Sequence, residues 1–326
     1  MFVATFVLCK VMIRYSGALK LLDVPNIRSM HTLEKSRAGG IAIFGAFALG
    51  MLLSGVTISL YIVVAFFTVF LLGLYDDRFG SSSKAKIFWI TVAAIILFFG
   101  DMHINSLGIF LGEEILLPNS LGFIFTIFAL VGFINAVNLI DGLDGLSSGV
   151  GIVILFSFSY LGYKYDDIFL LYSASLLIVA LLTFLRYNWY PSKMFMGDSG
   201  SLTLGFVIAL LSIHAIKQGY ITPATVLLLT AVPILDTLVV MFRRIRRGQN
   251  PFQPDKTHMH HILLKQHYNN VAKTTKILIL LQIVFTYIGL GFKVRDDFII
   301  LTIFILLYVL FYSMLTPKRH RKKNKL

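Results

Sequence analysis

Asp76 and Asp77 stand side by side at the end of an apolar run, in Gly73-Leu74-Tyr75-Asp76-Asp77, and Lys86 follows nine residues later. Adjacent carboxylates repel, so they settle near a cation or share a proton. Binding Mg²⁺ or serving as a phosphoryl-transfer base would each account for such a pair. An interfacial pair bonded to Lys84 or Lys86 is the plainer alternative.

Asn135, Asn138, Asp141 and Asp144 recur at intervals of three in Asn-Ala-Val-Asn-Leu-Ile-Asp-Gly-Leu-Asp-Gly. If a helix continues through them, they share roughly one face, drifting by about −60° per step. Gly142 and Gly145 allow close backbone approach or a break. Such a stripe of oxygens suits hydrated Mg²⁺ and a diphosphate, because Mg²⁺ prefers oxygen ligands and keeps several waters. Capping and turn formation is the competing role.

Phe195-Met-Gly-Asp198-Ser-Gly-Ser201 puts one acid between glycines just before another apolar run. Asp198 or Ser199 could cap that helix. The same geometry would offer a carboxylate and backbone N–H groups to a metal–phosphate complex. His258-Met-His260-His261 lies in a basic stretch. Zinc is a poor fit without cysteine partners, whereas imidazoles among arginines can hold phosphate or sugar oxygens or shuttle a proton. Asp236 precedes Arg243 by seven residues on one helical face, so an ion pair explains it as well as a functional role does.

These residues must be positioned by membrane helices. Of the 326 residues, 57% are hydrophobic and 14% charged, against about a quarter charged in a soluble domain. Apolar runs long enough to cross a bilayer recur from end to end. The expected fold is an all-α polytopic membrane protein with about eleven transmembrane helices. The stretches lie near residues 2–17, 39–55, 58–75, 87–101, 120–138, 146–163, 168–186, 201–216, 222–242, 275–293 and 298–315. Lys10 and Arg14 make the first the weakest. No soluble domain or repeat interrupts the chain, so 1–326 is read as one membrane domain with a large basic loop at 243–274 and a polybasic tail at 317–326. The single cysteine, Cys9, excludes an internal disulfide and a multi-cysteine metal site. The net charge of +13 implies no nucleic-acid partner, because the sidedness of Lys and Arg accounts for it.

Sidedness then sorts the chemistry. The basic tail and the loop after Arg243 should be cytoplasmic. Alternating back from them, the loops around 18–38, 76–86, 139–145 and 187–200 fall on the same side, with the N-terminus outside. Asp76, Asp77, Asp141, Asp144, Asp198, Asp255 and the three histidines then share one face. The other acidic pairs, Glu113-Glu114, Asp166-Asp167 and Asp296-Asp297, fall in outer loops, where solvated surface acids are expected. This sorting points to one cytoplasmic site. A transporter would instead place polar groups near mid-bilayer in related halves.

In order, the chain carries Asp23-Val-Pro25-Asn26 with Arg28, His31 and Arg37-Ala-Gly39-Gly40, and then Asp76-Asp77 with Lys86. Asn135 through Gly145 follow, then Asn188 and Pro191 with Phe195 through Ser201, and finally Asp255 with the His258–His261 run. Over about three quarters of its length it resembles the polyprenyl-phosphate N-acetylhexosamine-1-phosphate transferases. That resemblance implies ten or eleven helices, a Mg²⁺-dependent reaction (Mn²⁺ being the alternative ion), UMP as leaving group and a lipid-linked diphosphate sugar as product. The partners implied are undecaprenyl phosphate, a UDP-N-acetyl sugar and membrane lipids, and members of the family often pair as homodimers.

By position, the resemblance makes Asp76, Asp77, Asp141, Asp144 and Asp198 the catalytic acids, with Asp198 and Asp77 as metal ligands. Lys86, Asn135, Asn138, Asn188, His258, His260 and His261 would bind substrate. His-x-His-His after Pro-Phe-x-x-Asp resembles the N-acetylglucosamine branch. Ser29, Glu34, Ser36, Ser81 and Ile90 depart from the usual residues, which bears on sugar preference and leaves the acids untouched. Donors with N-acetylgalactosamine, a 6-deoxy sugar or the muramoyl pentapeptide are the alternatives. One-step displacement and a covalent aspartyl-phosphate route both stay open.

Overall fold

The computed structural model describes residues 1–25, 33–250, 258–292 and 297–315. Asn26, Arg28, Ser29, His31, Asp255, Asp296 and the basic tail lie outside them. Among the described residues the chain is a helical bundle. Its helices are α1 Phe2–Tyr15, α2 Gly39–Ser54, α3 Leu60–Phe79, α4 Ser83–Phe99, α5 Asn119–Leu139, α6 Leu146–Lys164 and α7 Ile168–Asn188. They continue with α8 Gly197–Lys217, α9 Pro223–Leu229, α10 Ala231–Ile245, α11 Met259–Gln266, α12 Val271–Gly291 and α13 Asp297–Leu315. Each of the eleven apolar stretches is helical, and the ninth is split between α9 and α10.

Among the described residues, seven helices are long and apolar enough to cross a membrane, and the α9–α10 pair makes eight if it is one span. The chain is therefore a multi-pass membrane protein. α1, α2 and α4 are shorter, at 14, 16 and 17 residues. Their lengths come to about 21–26 Å at 1.5 Å per residue, somewhat less than the hydrocarbon layer. Gly55, in the left-handed conformation, ends α2.

Two antiparallel ribbons qualify the all-α expectation: β1 (Leu22–Asp23) with β2 (Lys35–Ser36), and β3 (Ser106–Phe110) with β4 (Glu113–Leu116). Strands of two to five residues are too short to show alternation in sequence.

α8 is the axis. Every residue from Ser199 to Ile213 is buried, as expected of a helix apolar on all sides. α2, α3, α5, α6 and α7 pack around it. Gly73 lets α3 approach closely: a Cβ there would lie 2.5 Å from Ser199 Cα, on the first turn of α8.

The helices alternate between two ends. At one end Lys217, closing α8, pairs with Asp101 after α4. Asp167 accepts Leu170 N–H as the N-cap of α7 and lies 2.7 Å from His214 Nε2 of α8. Asp297, fully buried at the start of α13, accepts Ile109 N–H at 2.6 Å and the Thr222 hydroxyl that opens α9. These acids correct the expectation of solvated outer-loop residues: Glu113 and Glu114 are exposed, but Asp167 and Asp297 tie helix ends together. Helix N-termini need acceptors, and buried loops supply them with acids.

α9 and α10 are bent by 92°. Thr230 sits at the break, and Pro233 prevents regular bonding just beyond it. Gln282 of α12 bridges the gap, accepting Val232 N–H at 3.0 Å and donating to Leu229 O at 2.8 Å. Broken helices survive in a membrane where a neighbour satisfies the freed groups in this way.

Candidate active site

The other end of the bundle collects the chemistry. α3 ends there with Asp76 and Asp77, α4 begins with Lys86, α5 ends near Asn138 and α8 begins with Asp198. Lys86 Nζ lies 2.8 Å from Asp76 Oδ2 and also bonds Asp198 Oδ2. Asn138 Nδ2 reaches Asp198 Oδ1 at 3.1 Å and Ser201 Oγ at 2.8 Å. One ammonium thus holds two acids from different helices, and a neutral amide steadies one of them.

Asp77 takes another role. Its carboxylate accepts Asp198 N–H at 2.7 Å, Ser199 N–H at 2.9 Å and Ser199 Oγ–H at 2.6 Å. The cap of α8 therefore comes from α3 and not from Asp198 or Ser199, which lie inside the first turn. Negative charge at a helix N-terminus is stabilising, and Asp77 sits where that field is strongest. Both oxygens of Asp77 are thus engaged at this helix end.

The expected helical stripe does not continue. α5 stops at Leu139, and Asp141 and Asp144 lie in the turn leading to α6. Asn135 Nδ2 bonds Val131 O of its own helix. Asp144 Oδ2 accepts Ser192 N–H at 2.9 Å and lies 3.9 Å from Lys35 Nζ. Lys35 also donates to Ser192 Oγ and covers the Phe195 ring. It was not singled out by the sequence, where it is one base among many. Asn188 is spent on the scaffold, accepting Gly145 N–H and Ser148 Oγ–H and donating to Met194 O.

Among the described residues the Asp141 side chain makes no hydrogen bond or ion pair. Burial, then the charges of Asp198, Asp77 and Asp144, push its carboxyl up to about 8. This is a surplus of negative potential beside Asp198.

The histidines close the site from the far side of the 141–145 turn. Asp236 of α10 accepts Met259 N–H at 2.6 Å and contacts His258 Nδ1 at 3.0 Å. It is a histidine partner and not the Arg243 partner expected from spacing; Arg243 donates to Leu315 O. His260 packs on the turn itself: a Cβ on Gly142 would lie 2.3 Å from its Nε2. His260 and His261 rings are 4.2 Å apart.

Mg²⁺ needs only one or two carboxylates, with water and phosphate oxygens completing its shell. Among the described residues no three carboxylate or imidazole groups already converge as a chelate. The unpartnered Asp141 nevertheless fits such a loosely held cation, because Lys86 and Lys35 together cannot balance Asp76, Asp77, Asp141, Asp144 and Asp198.

The glycosyl transferase family 4 model matches residues 59–216, from the start of α3 to the end of α8. The chain is 33% identical over 274 residues to an undecaprenyl-phosphate alpha-N-acetylglucosaminyl 1-phosphate transferase of Haemophilus influenzae, covering 81% of this chain and 77% of that protein. The chain belongs to the polyprenyl-phosphate N-acetylhexosamine-1-phosphate transferases, glycosyl transferase family 4. It is 30% identical over 255 residues to the enzyme of that same name in Salmonella typhimurium, covering 75% and 69% of the two chains. A probable undecaprenyl-phosphate N-acetylglucosaminyl 1-phosphate transferase of Bacillus subtilis is 29% identical over 300 residues, covering 90% and 83%. As a phosphosugar transferase of this family, the chain keeps Lys86, Asn138 and the acids in one cluster, with His260 against the turn that carries Asp141 and Asp144.

Proposed function

We propose that the chain transfers N-acetylglucosamine-1-phosphate from UDP-N-acetylglucosamine to undecaprenyl phosphate, releasing UMP. The product opens a lipid-linked cell-surface polysaccharide. The observation that carries this reading is the Lys86 ammonium shared by Asp76 and Asp198 where three helix ends meet. It is a site built for moving phosphoryl charge next to the bilayer. The names of the relatives supply the sugar and the acceptor.

An oxygen of the lipid phosphate attacks the β-phosphorus of the nucleotide sugar, and the bond to the bridging oxygen of UMP breaks. Bound Mg²⁺ would offset charge on the pyrophosphate and the departing UMP. Asp198, with Asp141 beside it, would hold that ion. Lys86 neutralises phosphate oxygens and Asp76 orients the ammonium. Asp77 fixes the backbone that presents Asp198. Asp144, held by Ser192 N–H, and the 141–145 turn form the wall toward the nucleotide. The histidines face the diphosphate or the sugar. Displacement in one step suits a site in which Asp76 and Asp198 are bonded to Lys86 and Asp77 to a helix end.

The excess of Lys and Arg in the loops at this end supports a reading in which it faces the cytoplasm of a bacterial inner membrane, with eleven crossings and the N-terminus outside. Purified protein in detergent, given undecaprenyl phosphate, Mg²⁺ and a panel of UDP-sugars, tests the reaction. UMP release and a lipid product with UDP-N-acetylglucosamine, abolished by EDTA, is the expected result. Release only with another UDP-N-acetyl sugar replaces the donor, and none with any donor rejects the reaction.

A further inference from the structure

Asp236 is a buried acid, with 2% of its surface exposed. A carboxylate in apolar surroundings is destabilising by several kcal/mol unless it is fully bonded, roughly what an isolated buried ion costs. Both of its oxygens are used, and both face the same short segment. Oδ1 accepts the N–H of Met259, the first residue of α11, and Oδ2 meets Nδ1 of His258, which precedes it. His260 Nδ1 lies 3.8 Å from the same oxygen, too long for a hydrogen bond. One acid on α10 therefore holds the start of α11 and the imidazole that precedes it, and lies near a second.

The consequence for His258 is chemical as well as positional. A carboxylate only accepts, so His258 Nδ1 must carry the proton and Nε2 is the nitrogen left for substrate. The His258 and His260 rings are stacked 5.7 Å apart at 14°, and His260 lies against Gly142, between Asp141 and Asp144. An error in the seat of His258 passes through His260 to the turn that carries two of the site's acids.

Resting on the transferase reading, we propose that Asp236 is a positioning residue of the reaction: it fixes the orientation and tautomer of His258 and, through it, the seating of the imidazoles on the Asp141–Asp144 turn. Asp236 touches no reacting atom. It acts through His258 and makes no bond of its own to the Asp76–Lys86–Asp198 group.

The test compares UMP release by wild type, Asp236→Asn, Asp236→Glu, His258→Gln and the Asp236→Asn/His258→Gln double variant, each as the full chain in detergent. Asparagine offers a single acceptor oxygen and two N–H donors, so it favours the other tautomer of His258. The expected loss in kcat/KM for UDP-N-acetylglucosamine is about tenfold to a hundredfold, the usual effect of removing a partner that orients an imidazole. KM for undecaprenyl phosphate should hold within about threefold, since that side keeps its interactions. Glutamate should restore part of the rate. The double variant should be no worse than the poorer single variant, because both changes break one unit. Multiplicative losses in the double variant, or an Asp236→Asn rate within about threefold of wild type, overturn the assignment. If Asp236→Asn does not fold, His258→Gln decides: its amide can still bond Asp236 but lacks the free ring nitrogen, and an unimpaired rate rejects the proposal. Wild type that releases no UMP rejects the reaction and this inference together, whereas active wild type with indifferent variants rejects the inference alone.

Discussion

The carboxylate of Asp77 accepts the backbone N–H of Asp198 at 2.7 Å, so the acid that ends one helix fixes the acid that begins another. Both residues were expected to bind metal; the structure adds that one caps the helix that carries the other. Asp198→Asn should lower turnover at least about a hundredfold while leaving the melting temperature within a few degrees, because it removes charge without removing the helix cap. Asp77→Asn should match that loss and also lower the melting temperature, since one amide oxygen cannot accept three donors. Equal thermal stability in both variants would contradict the capping role.

Asp167 makes the opposite prediction. It caps α7 at the far end of the bundle and touches His214 and Tyr220. Burial alone would raise its carboxyl, but Leu170 N–H, the His214 ring and the Tyr220 hydroxyl together hold it below the usual range. Its stabilisation is therefore present above the ordinary carboxylate range and fades as pH falls through the lowered value. Asp167→Asn should cost about 1 kcal/mol of stability, as lost caps do, with turnover within about twofold of wild type. A rate loss equal to that of Asp198→Asn, in folded protein, would remove the case for one site at one end.

Metal binding should depend on pH in a defined direction. Asp141 holds its proton up to about 8, so a cation must displace that proton to use the carboxylate. Half-saturating Mg²⁺ should rise by up to about tenfold for each pH unit below 8 and level off above it. Without metal the sign for stability is the same as for any raised carboxyl: the folded state keeps a proton that the unfolded chain releases, so stability declines between the ordinary carboxylate range and pH 8. Asp141→Asn should flatten both dependences. A Mg²⁺ titration at three pH values, read by UMP release, checks the first and thermal unfolding with EDTA the second.

Gly73→Ala tests how closely α3 must approach α8. The added methyl would meet the backbone at Ser199 Cα, 2.5 Å away, which cannot turn aside as a side chain would. Separation of the two helices stretches the Asp77 cap, so activity should fall at least about tenfold and stability by about 1–3 kcal/mol, as in other overpacked sites. An alanine variant with unchanged activity and melting temperature would mean that α3 and α8 tolerate a wider spacing than described.

Local pattern carried the helices and the sorting of acids to one end. Asp76, Lys86, Asn138, Asp198 and His260 all come together there because apolar runs fix which loops share an end. What spacing could not supply were bonds between residues remote in the chain. Asp77 and Ser199 are 122 positions apart, and nothing nearby marks an acid as the cap of a distant helix. The three-residue rhythm from Asn135 to Asp144 suggested a stripe, but α5 ends at Leu139 and a left-handed Gly145 opens α6, which makes half of it a turn. Lys35 gave no signal at all, since a lone base in a basic loop is ordinary. Asp236 did give one, because an acid inside an apolar helix needs a partner; spacing nominated Arg243 when the histidines were the answer.

The Gln282 bridge has a mechanical meaning. Two peptide groups freed where α9 turns into α10 are served by one side chain from α12. The elbow is buried, so swinging it would strand Leu229 O and Val232 N–H without partners. An arm held that way is a strut and not a hinge. The histidine segment hung from its Asp236 is therefore on a fixed mount.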